Sequence, residues 1–180
     1  MWNIECENLV LKEILSEWEP FLFSSDVYWQ AQIKGNDVPV SYKKIRISPG
    51  RLLISVKLLS DIEDEHSSLK KEVQENLTRF FTLTNQWKAN WEKKILMELP
   101  IRTRQWQRII QDLGHDRDYS SHQLANDVQI RLMLDLLVEQ IGASEKAEFD
   151  QLLKIEDMKF KSLTFDNSFL WDEKDRKSVV

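Results

Sequence analysis

Residues 27–58, VYWQAQIKGNDVPVSYKKIRISPGRLLISVKL, decide the fold of this 180-residue chain. Val27, Trp29, Ala31 and Ile33 alternate with Tyr28, Gln30, Gln32 and Lys34, the period of two that a strand with one buried face requires. Gly35-Asn36-Asp37 then supplies a hairpin turn. Val38, Val40 and Tyr42 share one face, while Ile45 and Ile47 fall on the other parity, so a bulge near Lys43-Lys44 is expected to restore a single apolar face. Ser48-Pro49-Gly50-Arg51 has Pro and Gly where a type II turn wants them, and Leu52, Ile54, Val56 and Leu58 alternate beyond it. The expectation is a three-stranded antiparallel β-meander.

Helical spacing governs the rest. Asn8 is a plausible N-cap for a short helix carrying Leu11, Ile14, Leu15 and Trp18 as far as Pro20. From a cap at Asp61, the residues Leu69, Val73, Leu77, Phe80, Thr84, Trp87, Trp91 and Ile95 step by three or four. That stripe predicts one helix from Ile62 to about Glu98, with Pro100 ending or kinking it. Trp106, Ile109, Ile110 and Leu113 form a shorter stripe closed by Gly114. The run from Leu124 to Ile141 is apolar around most of its circumference, so it is expected to be the central buried helix, packed on the long helix and the sheet. A last helix starts at Ser144, and its pattern decays after Met158. The fold class is therefore α+β and mostly helical: a four-helix assembly with the meander near the N-terminus, in one domain spanning 1–164, followed by an acidic-aromatic tail, 165–180.

Composition excludes several functions. Apolar residues at 42% and charged residues at 31%, with four Gly and four Pro, describe a globular chain rather than a low-complexity one. A single cysteine, Cys6, cannot form an internal disulfide, and Met1, Trp2, Asn3 and Glu5 open the chain without a basic or apolar leader. No apolar stretch reaches the ~20 residues of a membrane span, so a cytoplasmic location is expected. With four glycines there is no P-loop or GxGxxG, and there is no GxSxG, HExxH or CxxC. No catalytic residue, cofactor or metal is assigned on this basis.

The net charge of -5 conceals uneven segments. Lys43, Lys44, Arg46 and Arg51 lie on the expected hairpin, and Trp87, Trp91 and Trp106 are set among Lys88, Lys94, Arg102, Arg104 and Arg108. Trp87 and Trp91 occupy one helix face, which suits either core packing or a contact surface. The preferred function is a non-enzymatic adaptor or assembly protein that binds another protein along Trp87–Arg108, with homo-oligomerisation left open. The alternative is nucleic-acid binding, in which rings stack on bases and cations meet phosphates. A second alternative, a metal-dependent hydrolase at His115, Asp118 and His122, rests on weaker spacing, because Arg117 opposes a cation and the segment reads as a polar turn. The tail joins Phe165, Phe169, Leu170 and Trp171 to Asp166, Asp172, Glu173 and Asp175, and it is expected either to clasp the domain or to dock on a partner.

Overall fold

The computed structural model describes residues 3–33, 38–62, 67–115 and 121–164. Among these, the chain is mostly helical, with seven helices of six residues or more, one single helical turn and a two-stranded sheet.

Asn3, rather than Asn8, caps α1 (Ile4–Ser16), its side chain accepting from the main-chain N–H of Cys6 at 3.0 Å, with Glu5 and Glu7 in the favourable first turn. Asn8 is buried inside the helix and accepts from Asn76 Nδ2 at 2.9 Å. Pro20 does not end helical structure; it sits in the first turn of α2 (Trp18–Phe23), where a missing N–H costs nothing. Cys6 is buried, and burial, reinforced by Glu7 and Glu5, pushes its thiol pKa up, away from reactivity.

The expected meander is corrected to a single strand pair. β1 (Trp29–Ala31) and β2 (Ile45–Ile47) run antiparallel, pairing Trp29 with Ile47, Gln30 with Arg46 and Ala31 with Ile45. The segment expected as the second strand instead holds the single turn α3 (Val40–Lys43), and the expected Gly35-Asn36-Asp37 turn lies outside the described residues. The third strand is helix α4 (Pro49–Ser60). Ser48 is its N-cap, accepting from the Arg51 N–H at 3.3 Å, and Pro49 takes the first helical position, so the Ser-Pro-Gly run starts a helix rather than a turn. Alternation at Leu52, Ile54 and Val56 was incidental: Leu53, Ser55 and Leu59 are buried as well.

The long stripe divides at Trp87 into α5 (Ser67–Gln86) and α6 (Lys88–His115). Helical bonds flank the break, Trp87 N–H to Leu83 O at 3.0 Å and Trp91 N–H to Trp87 O at 2.9 Å. Pro100 neither ends α6 nor separates the Trp106 stripe from it, and Gly114 lies within the helix rather than after it. Both Pro100 and Leu96, whose carbonyl the proline leaves without its helical donor, are on the exposed side, where solvent can meet that carbonyl.

α7 (Ser121–Val138) and α8 (Ala143–Thr164) complete the described chain, and α8 continues six residues past Met158. α7 packs on α6 and α4, with Leu134 and Leu137 fully buried, although Val128 and Leu132 stay exposed. Helix α6 meets α2, α4, α5, α7 and α8, and α4 meets α1, α5, α6 and α7. The sequence was expected to provide a sheet at that place; it provides a buried helix.

Candidate functional site

The aromatic residues form a cluster where α2, α5 and α6 meet. Trp91 stacks on Trp18 with centroids 5.6 Å apart, and Phe80 stands edge-on to both at 5.8 Å. Phe21 and Phe81 extend it at 5.9 Å from Trp18 and 5.4 Å from Phe80. Trp91, 3% exposed, is core, and its indole N–H reaches Gln140 Oε1 at 3.4 Å. Trp106, 1% exposed, is core too, tilted against Phe160 on α8 at 5.0 Å.

Trp87 differs. It is half-buried at the α5–α6 break and receives the ring of Phe23 edge-on at 5.2 Å, and Phe23 is itself 54% exposed. The margin of the cluster thus opens to solvent at Phe23 and Trp87, and at Phe81 beyond Phe80.

The cations expected to form a surface separate into two groups. Lys43, Lys44, Arg46, Lys88, Arg104 and Arg108 are exposed. Arg51, Lys94 and Arg102 turn inward. Arg102 donates through Nε to Glu98 Oε1 at 2.7 Å, and through its terminal nitrogens to Gln105 at 2.9 Å and Ser48 Oγ at 3.1 Å. Arg51 donates to Glu7 Oε1 at 2.7 Å and to Ser55 Oγ at 2.6 Å.

Two buried carboxylates organise these contacts, and sequence reading missed both. Glu98 accepts from Ser48 Oγ at 2.6 Å and from the Gly50 N–H at 2.7 Å, as well as from Arg102. Glu7 accepts from Tyr42 Oη and Ser55 Oγ, both at 2.7 Å, and from Arg51. Each carboxylate is fully buried and accepts three hydrogen bonds, so these are structural braces on α4. The available signal was Glu98 and Arg102 standing four apart on the same face as Trp91, Ile95 and Trp106.

Lys94 is 1% exposed. Its ammonium donates to the main-chain oxygens of Ser24, at 2.8 Å, and Asp26, and it lies 5.3 Å from the centre of the Phe21 ring. Burial lowers its pKa, and the Asp26 charge partly opposes that shift. Lys94, Lys93 and Asn90 line a pocket of about 330 Å³ whose other wall is the α2 end, Leu22 to Ser25.

Among the described residues no group of three metal-binding side chains gathers. Asp118 and the side chain of His122 lie outside the described residues, and His115 Nδ1 is 2.7 Å from Gln111 O. The tail, 165–180, lies outside them as well. No described helix is long and apolar enough to cross a membrane. No family model, curated protein or solved structure matches this chain.

Proposed function

We propose that this protein is a non-enzymatic adaptor or assembly factor whose contact surface is the open margin of the aromatic cluster, at Phe23 and Trp87, edged by Lys88 and Lys93. The observation that carries this reading is the Phe23–Trp87 pair. A phenylalanine more than half exposed and packed edge-on against a half-buried tryptophan offers a ring pair of the residue types that anchor interfaces. Trp87 packs against the buried core to which Trp18 and Trp91 belong. Flanking lysines favour a partner segment that combines acidic and apolar side chains.

The surface is smaller than the sequence suggested. Trp91, Trp106, Lys94 and Arg102 are buried and fall outside it. The test is capture from host extract with Phe23→Ser, Trp87→Ser and Lys88→Glu variants beside the unaltered chain. A protein retained by the unaltered chain and lost by all three supports the reading. Identical retention by all four overturns it, as does failure to retain anything specifically.

A further inference from the structure

Beside the exposed ring pair lies the pocket between the end of α2 and the first turns of α6, and its chemistry is uneven. Leu22, Phe23 and Met97 give it apolar walls, while Ser25, Asn90 and Lys93 place a hydroxyl, an amide and an ammonium around it. None of its described lining residues is acidic, yet two are lysines.

The second lysine is the telling one. Lys94 is almost completely buried, and its ammonium is held by two main-chain carbonyls, with no carboxylate within ion-pair distance among the described residues. The exposed Asp26 carboxylate acts on it from farther away. A buried charge without a close counter-ion is costly, and the two carbonyls that hold this one carry no net charge, so an anion in the adjoining pocket would be favoured by it. Lys93, exposed on the adjacent position, adds to the same field. A volume near the lower end of the usual range suits a small ligand. With no arginine fork and three apolar walls, the pocket favours a monovalent acid with a hydrocarbon body over a phosphate.

We infer that this pocket binds a small carboxylate bearing an aromatic or alkyl group, the carboxylate set toward Lys93 and Asn90 and the body against Phe23, Leu22 and Met97. This goes beyond partner docking and does not depend on it: Lys88 lies outside the pocket, so Lys88→Glu weakens partner capture and leaves the acid site intact.

The test is calorimetric titration of the full chain with phenylacetate, phenylacetamide and inorganic phosphate. Phenylacetate is expected to bind saturably, with the neutral amide and phosphate each about tenfold weaker, since a charge-assisted contact and the apolar body each contribute on that scale. Lys93→Gln, an exposed change that spares the core, is expected to weaken phenylacetate about tenfold without altering the melting temperature. Equal binding of acid and amide overturns the inference, as does phosphate binding as tightly as the acid. So does an unaffected Lys93→Gln variant, or the absence of saturable phenylacetate binding at millimolar concentration.

Discussion

Glu98 on α6 accepts the main-chain N–H of Gly50 at 2.7 Å, although the two residues lie 48 positions apart. A carboxylate buried against the first turn of α4 satisfies a donor that every helix start leaves open, and it complements the positive end of that helix. Ser48 and Arg102 close around the same carboxylate, so one side chain joins the N-terminus of α4 to the middle of α6.

Removing that carboxylate should be severe. Glu98→Ala leaves Arg102 and the Gly50 N–H buried without their acceptor, and breaking one side of a buried pair costs about 3–5 kcal/mol. Chemical denaturation should show this loss, and the double change Glu98→Leu, Arg102→Met should recover part of it. A loss below about 1 kcal/mol, the range of exposed pairs, would mean that the brace carries no stability.

Gly50 is required by close approach rather than by an unusual backbone. A Cβ there would stand 3.2 Å from Glu98 Oε1 and 3.3 Å from both Leu137 Cδ1 and Met133 Cβ. Alanine gains about 0.5–1 kcal/mol of helix preference, but overpacking costs about 1–3 kcal/mol, so Gly50→Ala is expected to be destabilising on balance. A thermal melt decides the sign, and a raised melting temperature would show that the contact yields.

The two neighbouring tryptophans should separate by role. Trp91→Ala opens the core and should cost about 3–5 kcal/mol, whereas Trp87→Ala, at a half-open position, should cost about 1 kcal/mol. Denaturant midpoints for both variants make the comparison. Equal costs would place Trp87 in the core and remove it from the docking surface.

Tyr42 gives a prediction at alkaline pH. Burial, then its bond to Glu7 and the Glu7 charge, raise its pKa from 10.0 to about 12. A tyrosine with a raised folded-state pKa contributes stability that is complete below pH 10.0 and is lost as pH rises through about 12, because the unfolded chain ionises first. The slope of stability against pH in that window should flatten in Tyr42→Phe. An unchanged slope would assign the alkaline loss to other groups.

Duplex DNA offers a check on the nucleic-acid alternative. Arg51, Lys94 and Arg102 turn inward, and the six candidate cations left exposed lie on a chain of net charge -5, so no salt-sensitive association is expected. Measured affinity falling with log salt at about -0.9 per contacted phosphate would restore that alternative and point to the exposed cations.

Helical spacing was legible wherever one face is polar. The α1 stripe, the α5 stripe and the run that became α8 were visible because solvated residues mark the other side of each helix, and the α7 run was visible by the length of its apolar stretch. Residues 49–60 failed for the opposite reason. A segment buried on nearly every side satisfies periods of two and of 3.6 equally well, and Ser48-Pro49 reads as a turn or as a helix start until its neighbours are known. The break at Trp87 was hidden because the same stripe runs through it, and the tolerance of Pro100 was hidden because proline ordinarily ends or kinks a helix and only the folded chain shows Pro100 on the exposed side of α6.

Of the candidate surface, the rings and cations were all visible as residue types, but their placement was not. The apolar stripe suited Trp91 to core packing or to a contact surface, and in the fold Trp91 is core. Whether Lys94 or Arg102 faced water depended on acceptors contributed by residues far along the chain, Ser24 for one and Ser48 for the other. Local pattern therefore specifies which faces of a helix avoid water. The choice between strand and helix for a wholly buried segment, and the inward turn of a charged side chain, rests on long-range partners, because only they supply the packing and hydrogen bonds that offset the cost of burial.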